Sequence, residues 1–165
     1  MSAGPAAVTR ILIRCDASLQ IGSGHVMRCR TLARELQRCN AKVSFLCRRQ
    51  PGDLISLLEK EFAVLVLPEQ PLASCKGLEG RDLHRAWLGC TQELDVAHCL
   101  EVLDKAGING ASWLVADHYG LDSIWEAQLL AGLSGTDAAP PKLLVIDDLA
   151  DRPHQADLLL DQNFF

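Results

Sequence analysis

Five short apolar runs punctuate this chain, and their alternation with helical stripes constrains the fold more than any other feature. "RILIRCD" (10–16), "AKVSFLCR" (41–48), "FAVLVLP" (62–68), "SWLVADHYG" (112–120) and "KLLVIDD" (142–148) each read as a strand, bounded by turn residues. Between the first two, Val26, Cys29, Ala33, Leu36 and Cys39 recur in steps of three and four, the stripe of an amphipathic helix over 24–39. Further helices are expected over 52–61, over 90–107 with Gly107 as the stop, and over 121–132. A last short strand is expected in 156–163, and a surface turn over 135–141. Residues 68–90 show no clear period. They read as a long functional loop or as short elements hidden in one.

Nearly continuous apolar strands alternating with amphipathic helices imply a parallel sheet covered on both faces. The expectation is an α/β, Rossmann-like doubly wound domain over 10–165, preceded by a flexible lead-in over 1–9. The chain has 165 residues, enough for one domain with a real core. Acidic residues outnumber basic ones 21 to 16, which argues against a nucleic-acid partner. Arginines concentrate in the first third, either to favour an anionic ligand or as scattered solvated charges. No apolar run is long enough to span a bilayer, and the N-terminus lacks a secretory pattern, so no membrane insertion and a cytoplasmic location are expected. Seven cysteines without a CxxC pair read as reduced and mostly core, with no metal site.

Doubly wound sheets bind ligands outside the carboxyl ends of their strands. Polar residues gather at those ends here. Asp16, Ser18, Gly22, Ser23, Gly24 and His25 follow the first strand, and Asp117, His118, Tyr119 and Gly120 follow the fourth. Asp147 and Asp148 follow the fifth, and Asp161, Gln162 and Asn163 the last. A "GSG" loop before a helix can bring backbone amides to an anionic group, or be a plain turn. The dinucleotide fingerprint is incomplete, since Met27 stands where its last glycine would be, and no Walker lysine is present, so no cofactor is expected. His25 falls in a first helical turn, where the helix dipole disfavours imidazolium, so a neutral ring could serve as a base or simply pack on its loop. Asp16 is expected to orient that imidazole or to cap the loop's own amides. Asp117 and Tyr119 are expected to share one side of their strand end, with His118 on the other. Asp147 and Asp148 read as a loop-facing pair or a weak metal candidate.

The stretches "RCDASLQIGSGHVMRCRTLARELQ", "VADHYGLD" and "VIDDLADRPHQADLLLDQN" together resemble the UDP-sugar hydrolases of pseudaminic acid biosynthesis. Their GxGH motif alone is shared with MurG-type N-acetylglucosaminyltransferases. The resemblance implies the N-terminal domain of a glycosyltransferase-B-like (GT-B) architecture, two Rossmann-like domains with the active site in the cleft between them. It implies hydrolysis of UDP-2,4-diacetamido-2,4,6-trideoxy-β-L-altropyranose. His25 maps onto the catalytic histidine, Tyr119 onto the tyrosine of the DHYG motif, Asp16 onto the acidic residue after the first strand, and Gly22 and Gly24 onto the loop glycines. Ser23, Asp117, His118 and Asn163 complete the expected substrate contacts. The family pattern continues into a second, nucleotide-binding domain where this sequence stops at Phe165. The chain is then either an excised N-terminal domain or a natural half-protein whose activity needs a partner chain or has been lost. Two further expectations stay open: a GT-B-type glycosyltransferase using the same base, and a non-catalytic half-domain.

Overall fold

The computed structural model of the protein describes residues 8–71, 74–134 and 139–163. The expected turn over 135–141 lies partly outside these residues, as do most of the lead-in and the terminal Phe164 and Phe165. The element order is β1 (Arg10–Cys15), α1 (Gly24–Arg38), β2 (Lys42–Arg48), α2 (Ile55–Leu58), β3 (Ala63–Leu67), α3 (Gly80–Trp87), α4 (Gln92–Lys105), β4 (Trp113–Asp117), α5 (Ser123–Leu133), β5 (Lys142–Ile146) and β6 (Leu158–Leu160). All six strands are parallel and run in the spatial order β3-β2-β1-β4-β5-β6. This is the doubly wound α/β arrangement. The strand order reverses between β1 and β4, where such sheets open a crevice at their carboxyl ends.

Period-two alternation sorts the strand residues onto two faces. Ile11, Ile13, Cys15, Phe45, Cys47 and Val115 pack under α1 and α2 with Val26, Cys29, Ala33, Ile55 and Leu58. Leu12, Leu46, Leu67, Leu114, Ala116, Leu143 and Val145 pack on the opposite face with Val96, Cys99, Leu103, Trp125 and Leu129 of α4 and α5. Each fully buried aliphatic side chain of this kind contributes about 1.5–3 kcal/mol.

Local chemistry sets the helix ends. Gly22 turns the chain at φ 79° before α1, and its N–H donates to the Ser18 carbonyl at 2.8 Å. Asn40, at φ 64°, closes α1 in the left-handed conformation that asparagine tolerates. The Thr91 hydroxyl accepts the Leu94 N–H at the start of α4, and the Asp122 carboxylate accepts the Ile124 N–H at the start of α5.

Two expectations need revision. The helix expected over 52–61 is a single turn, because Gly52 takes φ 84° and Asp53 caps the Ile55 N–H. The Glu61 and Phe62 N–H groups then both fold back onto the Leu58 carbonyl to lead into β3. Residues 68–90 are not wholly loop: α3 occupies 80–87, at eight residues too short to leave a clear period. The β5–β6 crossover, by contrast, has no helix. Its "DRPHQ" strap is tied to α5 by His154 Nδ1 against Glu126 at 2.5 Å and by the Gln155 N–H to Glu126 at 2.7 Å.

Candidate functional site

The site is built at the β1–β4 switch point. Strand register sets Cys15 beside Asp117, so Asp117 points to the α1 face as Cys15 does. There it meets the first turns of α1. His25 Nδ1 lies 2.5 Å from Asp117 Oδ1. The Arg28 guanidinium grips the same carboxylate with two prongs, Nε to Oδ2 at 2.6 Å and Nη2 to Oδ1 at 2.5 Å. Burial alone would raise the Asp117 carboxyl, but the bonds from Arg28 and His25 outweigh it and hold it below the ordinary carboxylate range.

Arg28 also joins this pair to the ends of β5 and β6. Its Nη1 donates to Asp148 Oδ2 at 3.0 Å and to Gln162 Oε1 at 3.3 Å. Asn163 donates its side-chain amide to the Asp148 carbonyl at 2.8 Å. Tyr119 meets the His25 ring edge-on, with centroids 4.4 Å apart. Burial, with the neighbouring Asp148 carboxylate, pushes the Tyr119 phenol up to about 12, so it stays a neutral donor near pH 7. Gly22, Ser23 and Gly24 are exposed beside His25, and Ser23 makes no side-chain cap to α1.

Asp16, expected to orient His25, lies on the other face of the sheet. It shares the parity of Leu12 and Arg14 rather than that of Cys15. Its carboxylate meets Arg14 Nη1 at 2.6 Å and accepts the Arg48 N–H at 2.7 Å. Asp117 takes the place beside His25. The alternative reading of Asp16, as a cap for its own loop, is also displaced. The β2 backbone occupies that oxygen, and Ser18 caps the loop by accepting the Gln20 and Ile21 N–H groups.

Asp16 belongs to a buried ion network under β1 and β2. Arg14 binds Asp95 through Nε at 3.1 Å and Nη2 at 2.8 Å, and Arg48 Nη2 reaches the same carboxylate at 2.6 Å. The Trp125 indole N–H adds a fourth donor at 3.0 Å. His118 borders this network, 3.5 Å from Asp16. Its Nδ1 accepts the Gly120 N–H at 2.9 Å, and burial pushes the ring down to about 3, so it is a neutral core histidine. Its ring also faces that of His25, with centroids 6.4 Å apart.

Charge composition had left open an anion-attracting N-terminal third. The structure spends those arginines internally: Arg30 and Arg34 on Glu61, Arg38 on Glu35, Arg49 on Asp53, and Arg14 and Arg48 on Asp95.

Sequence reasoning missed several neighbours. Arg28 entered only as a charge, although its spacing from His25 on a helix places both on one face. Asp148 was read with Asp147 as a loop-facing or metal pair; it joins Arg28, while Asp147 caps the Leu149 and Ala150 N–H groups and binds Arg152. His84 and Trp87 of α3 lie against Tyr119, with centroids 5.2 and 6.4 Å away, and Arg152 lies 5.8 Å over the same ring. No sequence signal linked α3 to this edge. Among the described residues, no group of three or more His, Cys, Asp or Glu side chains is arranged to hold a metal ion. No helix among them is long and apolar enough to cross a membrane.

No protein-family model matches the chain, and no curated protein matches it.

Proposed function

We propose that this chain is the sugar-side half of a cytoplasmic UDP-sugar hydrolase, with His25 as general base. The observation that carries the reading is the placement of His25. It sits against a buried carboxylate at the sheet's switch point, beside an exposed glycine loop. The motif resemblance supplies the substrate, UDP-2,4-diacetamido-2,4,6-trideoxy-β-L-altropyranose, and a second domain or partner chain would hold the nucleotide.

The chemistry suits one base. The diphosphate of a UDP-sugar is weakly basic and departs with little help, so water is the weak reactant. His25 takes a proton as the water oxygen bonds to the anomeric carbon. The C–O bond to UDP breaks on the opposite face as the new bond forms, its electron pair leaving with the diphosphate, giving UDP and the free sugar with inversion. General-base assistance is worth about 10²- to 10⁴-fold. Tyr119, a neutral phenol against the imidazole edge, gives its O–H to Asp148, and its oxygen can accept a hydrogen bond from a sugar hydroxyl. Gly22, Ser23, Gly24 and Asn163 border the same edge as substrate contacts, while Asp16 and His118 support the site from beneath.

The test is UDP release from this sugar nucleotide by the folded chain, with and without a sugar acceptor. Acceptor-independent release supports the hydrolase. Release only with acceptor makes the protein a transferase using the same base. A folded chain that releases no UDP, alone or with a nucleotide-binding second domain supplied, sinks the enzymatic reading.

A further inference from the structure

Among the described residues, every donor on the Asp117 carboxylate comes from one short stretch of α1. His25 Nδ1 and Arg28 Nη2 share Oδ1, each at 2.5 Å. Arg28 Nε and Cys29 Sγ share Oδ2, at 2.6 and 3.3 Å. Positions 25, 28 and 29 stand at i, i+3 and i+4, so the three side chains leave one face of the helix together. The carboxylate itself is fully buried, with a relative exposure of 0%.

This arrangement decides which ring nitrogen of His25 carries the proton. An ionised carboxylate only accepts hydrogen bonds, and a guanidinium only donates them. The 2.5 Å contact with Asp117 therefore needs the proton on Nδ1. Arg28 Nη2 also lies 3.2 Å from Nδ1, a contact that would favour the opposite tautomer if it acted alone. The shorter contact to the anion outweighs the longer one to the cation. The other nitrogen, Nε2, has no hydrogen-bond partner among the described residues.

We propose that Asp117, clamped by Arg28, is a positioning residue that fixes His25 in the Nδ1–H tautomer and presents Nε2 as the ring's proton acceptor. The inference deepens the reading of His25 as a base, and the tautomer is measurable whether or not that reading holds. Arg28 has two effects here. Its two-pronged grip fixes the rotation of the carboxylate, and its positive charge keeps Asp117 an acceptor in a dry environment. Remove the anion, and Arg28 is left as a pure donor facing Nδ1. The ring proton should then move to Nε2 and block the acceptor.

The experiment is long-range ¹H–¹⁵N correlation of the histidine rings in the ¹⁵N-labelled chain, at a pH where His25 is neutral. The His25 ring signals are assigned by their loss in His25→Ala. The wild-type protein is expected to show a protonated Nδ1 and an unprotonated Nε2. Arg28→Lys, which keeps the cation but loses the fork, should retain that tautomer. Asp117→Asn and Asp117→Ala should shift the population toward Nε2–H, and any measurable turnover should fall in kcat rather than rise in KM. A wild-type ring protonated on Nε2 overturns the proposal without any variant having to fold. So does an unchanged tautomer in a folded Asp117→Ala protein. The predicted tautomer in a folded chain inert toward the UDP-sugar, even with a nucleotide-binding domain supplied, sustains the positioning role and removes the functional reading instead.

Discussion

Gly120 lies so close to α3 that a Cβ built on it would sit 2.8 Å from the His84 carbonyl oxygen and 3.1 Å from the His118 ring. Backbone meets backbone there, and neither can yield as a flexible side chain does. This approach seats His84 and Trp87 against Tyr119 at the rim of the site. Gly120→Ala should therefore lift α3 and cost about 1–3 kcal/mol through overpacking. Urea denaturation gives the cost, and near-ultraviolet circular dichroism reports the altered surroundings of Trp87. Wild-type values for both would mean that α3 is not held by this contact.

His25→Ala should lower UDP-sugar turnover by about 10²- to 10⁴-fold while leaving the fold intact. The ring is largely buried, but Arg28 still satisfies both oxygens of Asp117 after its removal. Circular dichroism and the denaturation midpoint check the fold, and single-turnover UDP release checks the chemistry. Full turnover in the variant would remove His25 from the mechanism.

His118 should impose a measurable acid dependence on stability. Burial pushes its folded-state pKa down to about 3, with Arg14 and His25 adding to that effect and Asp16 and Asp95 opposing it. The unfolded chain takes up this proton near pH 6.5. The folded state is thus fully favoured above about pH 6.5 and loses this contribution as the pH falls toward 3. Between those limits the slope from one proton is about 1.4 kcal/mol per pH unit. His118→Asn can still offer the Gly120 N–H an acceptor but binds no proton. Urea titrations at pH 7, 6, 5 and 4 should show a flatter profile for the variant, and equal slopes would refute the assignment.

Asp95→Ala should be the most damaging of these changes. It leaves the Arg14 and Arg48 guanidiniums and the Trp125 indole without their shared acceptor in the core. Breaking a buried ion pair on one side costs about 3–5 kcal/mol. The variant should accumulate as unfolded or insoluble protein, and soluble yield together with thermal unfolding measures it. A stability loss below 1 kcal/mol would show that Arg14 and Arg48 find other partners.

The sequence determined the class of fold by itself, because strand and helix periods are local. A run such as "KLLVIDD" or the stripe from Val26 to Cys39 needs only its own neighbours to declare a period of two or of three to four. It also determined that polar residues cluster at the carboxyl ends of the strands, since each ending follows directly from where its apolar run stops. Which carboxylate serves His25 was beyond it. Asp16 is the nearer in sequence, but its strand parity turns it toward Arg14 and the far face. Asp117 stands 92 residues away and reaches His25 because β4 pairs with β1 in the register that aligns Cys15 with Asp117. The same holds for α3, brought to Tyr119 by a backbone contact at Gly120, and for the arginines, whose apparent surplus of charge vanishes into pairs. Strand order and long-range pairing are decided by how the whole sheet closes its two cores, and no window of a dozen residues contains that information.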